Sequence, residues 1–449
     1  MRPRVCAATD CHQIVEKRTY RPLVSGLGEI RFGLAMTGPA RPDSLTLIWG
    51  KGHQSANFAW KFNAMTLKAK FFGALSSLLL VVLFFASSPI AANTSLQLGD
   101  GVVLSFADGN IDVRTGSGEL EGVVVTEDGV ELLTADYLMI DASGEIGGED
   151  WFIHDLVMEN ALIAEAGLFI NRTEIRDLAA GGLDDTSFSE PEGLVSENSF
   201  VRFQNLSLEA EEALVSIDEI SSLPVKLAES ALGEFIVVDG GVAVKGMTVM
   251  PLEQARGLSP LMDKLADRGM SSVGMDIVFR TVTSPGDQFR VGYSLQALLR
   301  DLGAVDLAVE FSVNGQVYDE LMSMLATPEE NAVAMLGLSG AIALDAASII
   351  VEDTGLFDIL FAVAADEQGV SEEDMRSMAR MTVVAGLATT FPENVSALLP
   401  PLEELLKSGG RLSIEASPSM PVPLSSVIGF AMMPDLAIDQ LGISVTHQP

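Results

Sequence analysis

Residues 102–163 read VVLSFADGNIDVRTGSGELEGVVVTEDGVELLTADYLMIDASGEIGGEDWFIHDLVMENALI, and this stretch decides the fold. Short runs of alternating apolar residues are interrupted by the pairs Asp108-Gly109, Ser117-Gly118, Asp128-Gly129 and Ser143-Gly144. Alternation with a period of two places apolar side chains on one face of an extended chain. Asp-Gly and Ser-Gly pairs supply the unusual backbone angles that a tight hairpin needs. The pattern predicts antiparallel strands over 102–106, 122–126, 131–140 and 152–163.

Working outward, residues 93–180 form a first β region. Residues 181–199 are polar and rich in Gly, Asp and Ser, the composition of a surface linker. A second β region covers 200–316, with strands expected over 200–208, 213–220, 235–249, 273–283, 289–296 and 304–313. Ser284-Pro285-Gly286-Asp287 is a turn between two of them. Leu258, Leu261, Met262 and Leu265 recur at helical spacing and predict a helical insertion within 252–268. The phrases IHDLVMEN (153–160) and VRFQNLSL (201–208) echo each other, without a fixed repeat period.

Residues 317–449 change character. Thr327-Pro328-Glu329-Glu330 and Ser371-Glu372-Glu373-Asp374 are helix starts, since a hydroxyl can cap an amide three residues on while the acid reaches back. Met375, Met378, Ala379, Thr382 and Val383 share one face of the second helix, which must end before Pro392. Strands are expected over 341–351, 411–417 and 443–447, with a helix end over 402–407 closing at Gly409. The fold class is α+β: elongated antiparallel β sheets, curved or groove-like, with a helix-rich C-terminal third.

The amino end follows other rules. Residues 65–92, MTLKAKFFGALSSLLLVVLFFASSPIAA, join two lysines, an apolar run over 71–86 and a small-residue end, the anatomy of a secretory signal peptide. Met65 then stands where an initiator belongs, and residues 1–64 read as a non-native or disordered leader. The apolar run is shorter than the roughly 20 residues of a spanning helix, so an uncleaved inner-membrane anchor is the alternative. The expected location is the periplasm, or the inner membrane facing the periplasm if the segment is retained.

Charge divides the chain at the same place. Of 27 basic and 62 acidic residues, 11 and 4 lie within 1–92, leaving 16 and 58 for the remainder. So acidic a body repels phosphate backbones, which excludes nucleic acid as a partner. Cys6 and Cys11 are the only cysteines. The exported part therefore has no thiol for a disulfide, a metal site or a nucleophile, and its core alone must hold it together.

Candidate chemistry is sparse. His154 and His447 are the only histidines after residue 92, and strand neighbours such as His154 and Asp155 point to opposite faces. Asp108, Asn110, Asp112 and Glu119 occupy positions one, three, five and twelve of a calcium-loop pattern, but Val113 replaces the glycine of the sharp turn. The acidic pairs Glu211-Glu212, Glu329-Glu330, Glu372-Glu373 and Glu403-Glu404 suit helix starts better than a glycosidase cleft. Gly116, Gly118 and Gly122 lack the Lys-Ser/Thr of a phosphate loop. Asn171-Arg172-Thr173 and Asn205-Leu206-Ser207 spell glycosylation acceptors, relevant only in a eukaryotic secretory route. Abundant methionines, among them Met247, Met250 and Met262, suit irregular apolar grooves as well as ordinary cores. No residue is assigned a catalytic, cofactor-binding or metal-binding role.

The phrase Ile-His-Asp-Leu-Val-Met-Glu-Asn-Ala-Leu-Ile at 153–163 resembles those of bacterial AsmA-like envelope proteins, over roughly residues 95–313. The resemblance implies an elongated sheet that curls around lipid chains, although this chain is shorter than the larger members. Val351-Glu352-Asp353-Thr354-Gly355-Leu356, Gly369-Val370-Ser371 and Pro421-Val422-Pro423 are similar to exported alphaproteobacterial proteins of unknown function. Neither likeness carries a catalytic residue. The expectation is a non-enzymatic periplasmic protein that offers an apolar sheet face to lipid or to an envelope partner, with a carboxylate-dependent hydrolase or a structural interaction module as alternatives.

Overall fold

The computed structural model describes residues 45–47, 58–60, 95–97, 102–112, 117–144, 150–164, 166–181, 197–209, 213–229, 235–252, 259–286, 288–314, 317, 340–430 and 433–449. The expected signal peptide, the helix start at 327–330, nearly all of the linker and the pair Glu211-Glu212 lie outside them. Met1–Thr66 and Leu67–Pro449 are two separate units. In the first, β1 (Leu45–Leu47) and β2 (Phe58–Trp60) pair antiparallel.

The second unit is built on one antiparallel sheet. Its first part contains β3 (Ser95–Gln97), β4 (Val102–Ser105), β5 (Asp108–Asp112), β6 (Ser117–Glu127), β7 (Val130–Gly144), β8 (Asp150–Ile163) and β9 (Leu168–Gly181). The sheet goes on through β10 (Phe200–Glu209), β11 (Ala213–Ser222), β12 (Lys226–Glu229) and β13 (Phe235–Pro251). It is completed by β14 (Val273–Ser284), β15 (Gln288–Leu299), β16 (Gly303–Asn314), β17 (Ile342–Asp353), β18 (Gly410–Ala416), β19 (Val422–Pro423) and β20 (Ile443–Gln448). From β6 to β11, and again from β13 to β18, each strand pairs with its neighbours in sequence. Strand β11 pairs with β13, β13 with β14, and β18 with β20. Pairing of β9 with β10 carries the sheet past the linker. The register joins no partner to close the ring, so the sheet is open, as the elongated reading expects.

One side-chain row runs the width of this sheet. It passes through Gly118, Ile140, Leu156, Ile175, Val201, Ser222, Val242, Phe279, Leu295, Leu307, Ile349, Ile414 and Val445, each directly opposite the next. Over β7–β9 the row is sealed: Ile140, Leu156 and Ile175 are at most 1% exposed, inside a core that also holds Leu104, Leu120, Ile153, Ile170 and Phe203. Over β13–β17 the same face is open, with Val242 at 44%, Phe279 at 40%, Leu307 at 36% and Ile349 at 43%.

A second line crosses the sheet and shapes it. Gly122 faces Asp136, Asp136 faces Asn160, Asn160 faces Asn171, Asn171 faces Asn205, Asn205 faces Asp218, and Asp218 faces Gly246. On alternate strands the residue on this line is left-handed: Gly122 (φ 59°), Asn160 (φ 52°), Asn205 (φ 49°) and Gly246 (φ 66°). L-residues resist that region, and Gly and Asn resist it least. The line shifts the alternation by one residue in every strand. The buried residues are Leu120 then Val123, Ala135 then Leu138, Met158 then Ala161, Ile170 then Thr173, and Phe203 then Leu206. Two consecutive residues thus face outward in each strand, as at a bulge, and bulges bend a sheet and increase its twist.

Side chains on the line hold it. Asn160 Nδ2 donates to Asp136 Oδ2 (2.8 Å), Asn171 Nδ2 to Asn160 Oδ1 (2.8 Å) and Asn205 Nδ2 to Asn171 Oδ1 (3.3 Å). At the far end the Gly246 amide donates to Asp276 Oδ1 (2.6 Å), where the register of β13 on β14 shifts. A Cβ on Gly246 would strike the Asp218 carboxylate.

Among the described residues six helices accompany the later strands. They are α1 (Ser259–Asp267), α2 (Leu356–Gln368), α3 (Glu372–Thr390), α4 (Val395–Ser408), α5 (Leu424–Phe430) and α6 (Pro434–Leu441). The capping box expected at Ser371 is present: the Asp374 amide donates to Ser371 Oγ, and the Ser371 amide donates back to Asp374 Oδ2. Met375 and Ala379 are the buried members of the expected face, whereas Thr382 is exposed. Helix α3 stops at Phe391, before Pro392, and α4 stops at Gly409. Helix α4 begins at Val395, well before 402, with Pro400 and Pro401 inside it. Helix α2 is capped from the end of β17, where buried Asp353 Oδ1 accepts from the Phe357 amide (2.9 Å).

Gly246→Val should therefore lower stability by more than about 2 kcal/mol, combining left-handed strain with a clash. Asn205→Gly should stay within about 1 kcal/mol of the parent. Urea unfolding followed by circular dichroism reads both, and equal losses would contradict the backbone account.

Candidate functional site

The open part of the sheet face is the candidate site. On β15 the residues Phe289, Val291, Tyr293, Leu295, Ala297 and Leu299 share one face, and Gln288, Arg290, Ser294 and Gln296 lie on the other. Strand β16 repeats the pattern with Val305, Leu307, Val309, Phe311 and Val313 against Asp306, Glu310 and Ser312. An amphipathic strand of this kind fits a sheet with one face in water, and its apolar face ordinarily packs under another layer.

Among the described residues that layer covers the two ends of these strands, and a further helix, α4, lies against β18 and β20. At one end Leu265 of α1 and Leu356, Ile359 and Val363 of α2 pack with Val273, Leu299 and Leu302. At the other end Phe430 of α5 and Ala437 and Leu441 of α6 pack with Phe311, Leu344, Val422 and Ile443. Val273, Leu299, Phe311, Leu344 and Ile443 lie on the same face as the open row, so both helix groups stand on it as walls.

Between the walls lies an open trough of about 320 Å³, lined by Phe279, Tyr293, Leu295, Leu307, Val309, Ala347 and Ile349 and by the intervening Ser294, Ala308 and Ser348. Its size is that of a small-ligand site. The rings of Phe279 and Tyr293 stack with centroids 6.3 Å apart and planes at 23°. Burial pushes the Tyr293 phenol above its ordinary range, so in neutral water it remains an uncharged donor. Every other lining side chain is apolar or a serine. This surface can bury hydrocarbon and offers nothing to orient a charged substrate.

The charges stand behind it. On the opposite face Asp239 receives both arms of Arg280, Nε at 2.7 Å and Nη2 at 2.7 Å, and Lys226 Nζ at 3.1 Å. The Arg280 guanidinium, aided by Lys226, brings the Asp239 carboxyl down to about 2. Asp276 is likewise held below the usual carboxylate range by hydrogen bonds from Arg300 and the Gly246 amide.

The residues singled out by sequence do not converge. In the hairpin β5–β6, Asn110 lies opposite Glu119 and Asp112 opposite Ser117. Alternate residues of a flat strand stand about 7 Å apart, so Asp108, Asn110, Asp112 and Glu119 spread along the hairpin instead of circling an ion. Among the described residues no group of three acidic, His or Cys side chains could hold a metal. Glu372 and Glu373 lie in the first turn of α3, and Glu403, in α4, binds Arg380. His447 Nε2 lies 2.8 Å from the Gly409 carbonyl. His154 Nε2 is 2.6 Å from Ser143 Oγ, a cross-strand contact between exposed side chains at the β7–β8 bulge that sequence spacing did not suggest. Asn171 and Asn205, the acceptor-like asparagines, belong to the ladder described above.

A family profile described as "Uncharacterized protein" matches residues 296–448, the part that contains β16–β20 and all helices but α1. Against curated proteins the chain gives no match. Among the described residues no helix is long and apolar enough to cross a membrane.

The depressed carboxyl of Asp239 sets a pH dependence. A lowered folded-state value adds stability above the ordinary 3.8, and that stability is lost as pH falls through about 2. Because Arg280 and Lys226 are at least half exposed, the gain at pH 7 should be no more than about 1 kcal/mol. Asp239→Asn should remove this contribution at pH 7 and leave stability near pH 2 almost unchanged, as urea titrations at both pH values can read.

Proposed function

We propose that this chain is a non-enzymatic protein of the bacterial envelope that is exported to the periplasm and holds a lipid or similar apolar ligand on the open sheet face. The observation that carries the reading is the trough: a contiguous apolar surface in mid-sheet, walled by helices at both ends of the strands and left uncovered among the described residues. Monomeric proteins rarely leave such a surface bare unless it binds something. The absence of charge along the lining favours hydrocarbon over a polar metabolite. Export is supported by the signal-like segment at 65–92 and by the thiol-free, acidic composition that follows it.

Organic extraction of protein purified from its native envelope, followed by mass spectrometry, should yield stoichiometric lipid. The double variant L307Q/I349Q should yield at least tenfold less while keeping its circular dichroism. A folded parent protein that gives an empty extract would end the lipid reading. Independently, N-terminal sequencing of the cellular product should begin at Asn93, and a product that retains residues 1–64 would remove the case for export.

A further inference from the structure

We infer, on the footing of the lipid reading above, that the trough selects its ligand by the charge of the polar group: it holds amphiphiles whose head is a cation, an ammonium or a guanidinium, and turns away those whose head is a net anion. The floor supplies no positive charge. Over β14–β17 every residue on the trough face is uncharged except Asp353, which is buried beneath the start of α2 and accepts from the Phe357 amide. The basic residues of these strands, Arg280 and Arg290, stand on the opposite face, where Arg280 is bound to Asp239. A carboxylate or phosphate laid on the floor would lose water and gain no cation in return, an exchange that proteins avoid.

The helices around the floor are acidic. Among the described residues α1–α6 carry 12 acidic and 4 basic side chains. The basic ones are engaged by the helices' own acids: Lys264 by Asp366 (2.7 Å), Arg376 by Asp358, Arg380 by Glu403 (2.8 Å) and Lys407 by Glu404 (3.8 Å). Arg268, just past α1, is likewise bound to Asp358 (2.9 Å). Asp267 of α1 and Glu367 of α2 are exposed on one wall, and Asp439 of α6 is exposed on the other. Leu299, at the foot of the first wall, lies four residues along β15 from Leu295 in the floor; Phe311, at the foot of the second, lies four along β16 from Leu307. At about 3.3 Å per residue each wall stands about 13 Å from mid-floor. A helix radius of about 5 Å narrows that gap to about one Debye length at physiological salt, ~8 Å. Negative charge on both sides adds in the middle, above an apolar floor that screens it poorly. An amphiphile with a cationic head suits both surfaces together, its hydrocarbon on Leu307 and Ile349 and its charge in the field of the walls.

The test compares three probes that share a dodecyl tail, dodecyltrimethylammonium, dodecylphosphocholine and dodecanoate, each below its micelle concentration. Calorimetry on the full-length protein freed of lipid reads the affinities. At about 150 mM salt the cation should bind at least about tenfold more tightly than dodecanoate, with the zwitterion between them. Lowering the salt to about 10 mM should widen that ratio at least about threefold, since screening weakens attraction and repulsion alike. At the higher salt the wall variant D267N/E367Q/D439N should narrow the ratio at least about threefold, and the variant D306N/E310Q/E352Q, which removes the same charge from the opposite face, less than about twofold. The double variant L307Q/I349Q should weaken all three probes. Equal affinities, or a preference for dodecanoate, that vanish in L307Q/I349Q would overturn the charge selection and leave the lipid reading standing. Equal narrowing by the two triple variants would assign the preference to the net charge of the body and overturn the inference too. Binding that L307Q/I349Q leaves intact would lie outside the trough, with the same consequence. No binding of any probe by the folded protein, together with an empty native extract, would overturn the lipid reading and this inference with it.

Discussion

The left-handed line from Gly122 to Gly246 is the constraint on which the rest of the second unit depends. A regular strand keeps its inward residues on one parity throughout its length, and strands of ten to seventeen residues kept that way give a nearly straight twisted ribbon. Shifting the parity at the same height in successive strands bends all of them together. The face carrying Leu120, Leu138, Leu156 and Ile170 can then close over its own core, with residues at most 2% exposed, although no second sheet lies against it among the described elements. The side-chain ladder of Asp136, Asn160, Asn171 and Asn205 ties neighbouring strands together at the pleat break. Its donors and acceptors also fix the register, since a slip of one residue would separate every pair.

The line ends at β13, where a register shift against β14 restores ordinary alternation. Beyond it the sheet opens, and helices from the C-terminal third take over as the covering layer. Helices α1, α2, α5 and α6 stand at the ends of the strands and α4 lies against β18 and β20, so the described helices cover rims and leave the centre. The trough is thus a consequence of two incomplete solutions to burying one apolar face. The bend buries the first half, and the helices bury the margins of the second.

Much of this could be read from the chain alone. Period-two alternation placed the strands of both β regions, because that signal arises within each strand. The capping box at Ser371 and the stops at Phe391 and Gly409 were equally local. What escaped was relational. Asn160 and Asn205 stood in phrases whose similarity was visible, but nothing in a single sequence says that they face each other's neighbours across intervening strands. Leu295, Leu307 and Ile349 look like any core residue, since alternation reports which face is apolar and not whether another layer covers it. Helix α2 was missed because its cap is Asp353, supplied from the end of a strand, with Gly355 at the helix start. Of helix α4 only the end over 402–407 was read, since Pro400 and Pro401 sit inside the helix, where proline is unusual. The calcium pattern failed because period-two geometry spreads residues that a loop would have gathered.

The up-and-down order of the strands also bears on how the molecule is assembled. Nearly every strand bonds to the one made just before it, so each hairpin can dock as it emerges and present a fresh edge to the next. Such contacts are short in sequence for a β protein, which favours quicker formation than a sheet with distant crossings. A chain made amino end first would complete its sealed half before the trough strands arrive. Hydrocarbon-lined surface would then be displayed only after the rest of the body could support it.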